Sequence, residues 1–342
     1  GLGLLGLLGS GPEGDLFQRA RDVKRRIGEQ LRVPLPPLTV TDDPSLPVST
    51  YVISCQGQEA ARGRLMMSRA LVTADGDAPL PDGVPAERPT GENAVWVERD
   101  ALPLSGQRGW RVQTPCEVLL ADLQRALRQR VTAFVGRDAA HEFVERVRAQ
   151  RPVLVSELEQ AGVGLGAVRQ VMTGLAEEGV PLSDPAAILE AVADAAPEAK
   201  HPTQLIEAAR RAVAPSITRA CASADGVIKV VALGRNVERY VLESLEAAEP
   251  GRPVTLPPRV VRSLRDEIAR LRARCLLCTP EARRSVWESL RDFVPDLKVV
   301  VPDELVGSAR VRVLGEADCP ADIVYEAQRA AAGAHTVGSE SH

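Results

Sequence analysis

Residues 179–194, Gly-Val-Pro-Leu-Ser-Asp-Pro-Ala-Ala-Ile-Leu-Glu-Ala-Val-Ala-Asp, constrain the fold of this chain more than any other stretch. Just upstream, Val168, Val171, Met172 and Leu175 recur at three- and four-residue spacing, which predicts one apolar stripe of a helix over 165–178. Gly179 can take the left-handed conformation that ends a helix, and Pro181 lacks the N–H needed to continue one. Asp184 then offers a capping carboxylate. Pro185 follows in the first turn, where its missing donor costs nothing. Ile188, Leu189, Val192 and Ala195 give the second helix, 185–195, its own buried face. The stretch is a helical hairpin.

At 342 residues the chain is too long for one ordinary core and predicts two to four compact units. Hydrophobic residues make up 44% but aromatics only 3%, so those cores must be built from Leu, Val, Ile and Ala. A net charge of −4 gives no global attraction to nucleic acid or to an anionic membrane face. Lysine occurs only at 24, 200, 229 and 298, and the remaining basic residues are arginine, a bias that fits a GC-rich bacterial genome. Cysteines 55, 116, 221, 275, 278 and 319 follow no framework spacing and read as reduced thiols of a cytoplasmic protein. No apolar run approaches the roughly 20 residues that a membrane span needs. Because the first residue is Gly1, the sequence is expected to be a fragment or processed chain, with any membrane anchor upstream.

Taken in order, residues 1–14 read as an apolar strand or linker. They contain a formal G-x-G-x-x-G, but a dinucleotide site needs a strand before it and a helix opening from it, and neither is in place. A basic amphipathic helix follows from Asp15 to about Arg32, with Leu16, Val23, Ile27 and Leu31 inward; Arg19, Arg21, Lys24, Arg25 and Arg26 face out, as a solvated or partner-facing surface. Pro34, Pro36 and Pro37 end it. Strands are expected near 38–41 and 50–55, a loop over 74–94, and strands again at 94–97 and 109–112. Thr114-Pro115-Cys116-Glu117 is a capping box that opens a long helix striped by Leu119, Leu123, Leu127, Val131 and Phe134. Gly136-Arg137-Asp138 breaks it and starts another, with Phe143, Val144 and Val147 inward.

Residues 151–223 read as wholly helical, with a kink or early end expected at Pro215 inside 203–223. From 226 the period changes. Strands at 227–233, 274–278, 297–301 and 310–313 interleave with helices that begin at Asn236, Pro257-Pro258 and Thr279-Pro280, which means an α/β unit. Arg310–Val313 alternate as a strand with one solvated face would. Residues 331–342 read as a tail.

Candidate chemistry is sparse. Cys275-Leu276-Leu277-Cys278 stands without the second pair a zinc site needs, and it falls within a strand, not at the helix start that a redox motif uses. His141 has no serine or cysteine tied to it, so no catalytic dyad can be built on it. Residues 157–178 can be drawn as a helix-turn-helix, the basis of an alternative reading as a nucleic-acid-binding regulator. Its second helix offers only Arg169 and Gln170 toward bases and ends in Glu177-Glu178, which repel phosphate. A small-molecule enzyme is the weaker alternative. Trp96 and Trp110 are two of three tryptophans, read either as core filling or as anchors of a protein interface.

Several of these stretches resemble the export-gate family of type III secretion, flagellar and injectisome forms alike. Gly-Val-Pro-(Ile/Leu)-x-Asp followed by Ile-Leu-Glu-Ala-(Leu/Val)-Ala-Asp, at 179–194, is similar to that family's third subdomain. Ala61-Arg62-Gly63 resembles a family turn; Ala94-Val95-Trp96-Val97 and Gly109-Trp110-Arg111-Val112 resemble two family strands in the same order. Gly136-Arg137 resembles the joint that returns the chain from an inserted subdomain to the first. The chain departs from the family before Ala94, where a Pro-Ala-Phe-Gly lacks its Phe here, and at Pro215, where the family continues a helix with a charged residue. Val311–Gly315 resembles the ending of injectisome members.

The resemblance covers about 1–318 and implies an α+β protein of four subdomains. They are a split α/β unit (15–85 and 133–150), an inserted small α+β unit (86–132), an all-helical third (151–223) and a C-terminal α/β unit (224–330), flanked by the 1–14 linker and the 331–342 tail. It implies a homo-oligomeric ring, a nonamer, on the cytoplasmic face of the bacterial inner membrane, joined to the membrane only by an upstream region. Its implied partners are secretion chaperones with cargo, a gatekeeper or switch protein and the export ATPase stalk, with no nucleic acid, no cofactor, no metal and no catalysis. A hydrophobic chaperone cleft between the first two subdomains would draw on Trp110 above all, with Trp96, Gly109, Val112 and Arg137.

Overall fold

The computed structural model describes residues 4, 6–7, 15–33, 35–74, 79–86, 94–101, 110–223, 225–248, 253–294, 297–307 and 309–324. It divides the chain into two compact units, Gly1–Ala139 and Ala140–His342, each built of helices and sheets.

In the first unit, α1 (Leu16–Leu31) buries Leu16, Ala20, Val23, Ile27 and Leu31, the expected stripe. Its C-cap, Arg32, sits in the left-handed region and donates its N–H to the Gly28 carbonyl. Upstream, Leu4, Gly6 and Leu7 lie in a 3₁₀ turn, where a strand or linker was expected. The expected strand at 38–41 does not form either: those residues are largely exposed, follow two prolines and have no partner strand among the described residues. β1 (Thr50–Cys55) and β2 (Gln58–Arg64) make an antiparallel hairpin. Ala61-Arg62-Gly63 therefore lies in a strand; the turn is at Gln56-Gly57, both with positive φ. Gly63 faces Tyr51 in the hairpin register, and a Cβ there would collide with the Tyr51 ring. The bare backbone lets that ring cross over it, so that its hydroxyl donates to the fully buried Asp122 carboxylate.

A second sheet runs in the order β4 (Val84–Pro85), β5 (Ala94–Glu98), β3 (Arg69–Ala74), β6 (Trp110–Gln113), antiparallel throughout. The expected division at 85/86 runs through this sheet, with β3 and β4 on one side and β5 and β6 on the other. Thr114 opens α2 (Pro115–Gln129) with a complete capping box. The helix stops earlier than its stripe predicts, and Val131–Phe134 form a 3₁₀ turn.

α3 (Arg137–Arg148) begins at the end of the first unit, and in the second unit α4 (Pro152–Gln160), α5 (Leu165–Glu177), α6 (Pro185–Ala195), α7 (Pro202–Ala212) and α8 (Ala214–Cys221) follow it in succession. Gly179 has φ +67°, and Asp184 accepts from the Ala187 N–H, so the hairpin is built as its residues dictate. Pro215 falls in the first turn of α8, and the expected break is at Val213. A parallel sheet follows in the order β10 (Arg310–Ala317), β7 (Val227–Leu233), β8 (Cys275–Leu277), β9 (Lys298–Val300). It is packed by α9 (Arg235–Glu246), α10 (Pro258–Arg270) and α11 (Pro280–Leu290), around an aliphatic core that includes Val231, Val237, Leu264, Leu276 and Val286. Two details differ from expectation. Asn236 lies inside α9; the carboxylate of Asp318 caps that helix, accepting from the N–H groups of Asn236 and Val237. Arg310–Val313, at the start of the edge strand β10, are exposed on both faces.

Candidate protein-docking site

Among the described residues β6 is the edge of its sheet, so one row of its backbone donors and acceptors has no strand partner there. In the antiparallel register Trp110 faces Ala74 and Val112 faces Val72, which puts Trp110 and Val112 on one face, two residues apart. Trp110 is half-buried, and its indole N–H donates to the Pro79 carbonyl at 2.9 Å, which fixes the ring plane. Val112 is 45% exposed. Between them Arg111 is exposed and points to the other face.

Trp96 is placed differently. It faces Leu71 and Val84 across β3 and β4, hence lies on the face opposite Trp110, and it is only 3% exposed. That separation corrects the expectation of one cleft lined by both rings: Trp96 fills core. Arg137 is exposed at the start of α3, and Gly109 lies outside the described residues. Of the five residues, the structure brings together Trp110 and Val112.

Two concavities flank the described elements. In the first unit, α1 and α2 border an open groove of about 300 Å³ whose Arg19, Asp22, Arg26 and Glu117 mix both signs of charge. In the second, a crevice of about 10 Å³ beside Gly179 and Lys298 has room for about one water-sized molecule. Among the described residues no group of three or more His, Cys, Asp or Glu is placed to hold a metal ion.

The strongest electrostatics in the second unit are internal, and the sequence pattern gave no sign of them. Glu178 accepts from Arg210 Nη1 at 2.6 Å, Arg283 Nη1 at 2.5 Å and Arg284 Nη1 at 2.7 Å. Arg210 in turn grips Glu304 through Nε at 2.7 Å and Nη2 at 2.9 Å, a bidentate pair. Arg283 reaches Glu207 as well. Burial alone would raise the Glu178 pKa, but Arg210, Arg283 and Arg284 outweigh it and hold the carboxyl at about 2. Glu178 thus faces inward, and the phosphate repulsion assigned to it does not exist at the surface. Trp287, passed over in the sequence, is buried, with the guanidinium groups of Arg284 and Arg291 over its ring, 4.7 and 5.2 Å from the ring centre. Of the C-x-x-C pair, Cys275 is in β8 and Cys278 just beyond it. Both are buried, and burial pushes the Cys278 thiol up to about 12.

Edges, an open groove and inward-locked charges mark this as a mixed α/β protein whose described residues present exposed surfaces. A model of the FHIPEP family matches residues 1–310, and the chain belongs to that family. The chain is similar to the flagellar biosynthesis protein FlhA of Bacillus subtilis, 27% identical over 93% of this chain and 48% of that protein, so it spans about half the length of such relatives. Its fold is shared with the nonameric SctV-C of EPEC, at TM-score 0.68 and 18% identity over 88% of this chain and 94% of the other. It is shared equally with Chlamydia pneumoniae CdsV, solved in complex with CdsO, at TM-score 0.69 and 20% identity over 89% and 90% of the two chains.

Proposed function

We propose that this chain is the cytoplasmic domain of a type III secretion export gate, which docks chaperone–cargo complexes and orders their export without performing chemistry. The observation that carries the reading is the pair Trp110 and Val112 on the free edge of β6, an aromatic anchor beside exposed aliphatic surface in a chain of the FHIPEP family. Docking there buries the accessible side of Trp110 and pairs the unpaired edge. Gly109 and Arg137 complete the proposed surface; Trp96 supports it from the sheet's other face.

The domain assembles as a homo-nonameric ring, a reading supported by the nonameric state of SctV-C. CdsV's complex with CdsO supports a second protein docking on this domain; in this proposal the export ATPase stalk and a gatekeeper protein complete the set of partners. The four-subdomain division belongs to the same proposal, as does a position at the inner face of the bacterial inner membrane, reached through an upstream region. Pull-down of a cognate chaperone–cargo complex tests the docking claim. Trp110→Ala and Val112→Asp should each lower affinity at least about tenfold, the loss typical of a buried aromatic anchor. Undiminished binding by both variants, with folding intact by circular dichroism, sinks the site. Native mass spectrometry at high protein concentration tests the ring.

A further inference from the structure

In the parallel sheet of the second unit β10 pairs with β7 alone, so its outer row of backbone donors and acceptors has no strand partner among the described residues. The register sorts its side chains by chemistry. Arg312 stands beside Lys229 of β7, and Arg310, two residues earlier, leaves on the same face. All three cations are exposed. Val311 beside Ile228 and Val313 beside Val230 leave on the opposite face. Ile228 and Val230 are fully buried, whereas Val311 and Val313 are 43% and 58% exposed, so the apolar side of the sheet runs on past its cover.

Like charges on neighbouring sheet positions cost stability, and a carboxylate brought in beside Arg312 and Lys229 relieves that cost. Asp225 answers only part of the charge. Its carboxylate is engaged by Ser223 and by the Val227 N–H, and Arg310 donates to the Asp225 carbonyl. Strand edges are commonly blunted by prolines, inward charges or bulges. In β10 a register shift between Val313 and Gly315 interrupts the ladder, and beyond it Glu316 accepts the Arg235 N–H at the start of α9. Residues 310–313 have none of these devices: their ladder is regular, they contain no proline and their charges point outward.

We propose that residues 310–313 of β10 take up an extended segment of a partner protein by strand addition, a segment in which acidic and aliphatic residues alternate. Its backbone pairs with the outer edge of β10. Its carboxylates meet Arg310 and Arg312, with Lys229 adding to the field behind them, and its aliphatic side chains cover Val311 and Val313. The surface shares no residue with the Trp110 and Val112 site, so each stands or falls without the other.

The test titrates the full chain into a fluorescein-labelled peptide, Val-Glu-Val-Glu-Val-Glu, and reads anisotropy. Saturable binding that added salt weakens is expected, and the same peptide with lysine for glutamate should not bind. The double variant Arg310→Glu/Arg312→Glu should bind the acidic peptide at least about tenfold more weakly and gain affinity for the lysine peptide. A strand added at an edge pairs only one of its two backbone rows, so N-methylating one alternate set of peptide nitrogens should abolish binding and methylating the other should spare it. Absence of binding, or indifference to methylation at both sets, overturns the proposal. Self-association of the chain that Val313→Asp abolishes would assign the edge to a second copy, and peptide binding seen only in a chain ending at residue 324 would assign it to the chain's own last residues; either outcome also overturns it. Circular dichroism checks the folding of the variants, and if the double variant does not fold, the methylated peptides against the unmodified chain decide.

Discussion

Arg210 Nη1 and Glu178 Oε2 lie 2.6 Å apart with both side chains almost wholly withdrawn from water. Two such charges, 32 residues apart in sequence, stay buried only because neither is alone. Arg283 and Arg284 share the carboxylate, and Glu304 takes the other side of Arg210. Burying an ion costs several kcal/mol, and a network is tolerated when every member is matched.

Glu178→Gln should therefore destabilise the chain by about 3–5 kcal/mol, the cost of stranding buried guanidinium groups without their partner. Denaturant titration measures it. The pH dependence has a definite sign. The Glu178 carboxyl is held at about 2, below its ordinary 4.5, so its contribution is complete above pH 4.5 and lost as pH falls from there toward 2. The Gln variant should lose less stability over that interval than the parent.

Asp318→Ala removes the acceptor of the Asn236 and Val237 backbone N–H groups at the start of α9. A loss of about 0.5–2 kcal/mol is expected, the range for a deleted N-cap. Thermal unfolding, with Asp318→Asn as a control that keeps one acceptor oxygen, reads it out.

Gly174 lies in α5 against Ile206 of α7, and a Cβ at 174 would come within 2.5 Å of the Ile206 Cδ1 atom. Gly174→Ala should cost about 1–3 kcal/mol through overpacking. Ile206→Val shortens the offending branch and should recover part of that loss in the double variant. Additive losses in a double-mutant cycle would show that the two positions do not press on one another.

Pro215→Ala should change stability by less than about 1 kcal/mol. Pro215 is in the first turn of α8, where its N–H is not required, so the substitution only adds unfolded-state freedom. A large loss would mean that the break at Val213 depends on the ring.

What could be read in advance was local. The hairpin at 179–194, the Thr114 capping box and the strand at 227–233 are each specified by residues within a turn or two of one another. What escaped is set by partners far along the chain. α9 is capped by a residue 82 positions beyond Asn236, which no window over its own start contains. Glu178 looked like a solvated helix end because its three arginines come from α7 and α11. The opposite facing of Trp96 and Trp110 follows only from their registers with β3, since Leu71 pairs with one and Ala74 with the other. One residue of slip would have reversed it.

The placement of β10 also sets an order of events. β7 is the inner strand it pairs with, yet residues 227–233 leave the ribosome well before 310–317. Through that interval one side of β7 stands as an open template, while the helices of 152–221 can already pack among themselves. A nascent chain halted short of residue 310 would carry that bare edge, and would also leave α9 waiting for the Asp318 cap.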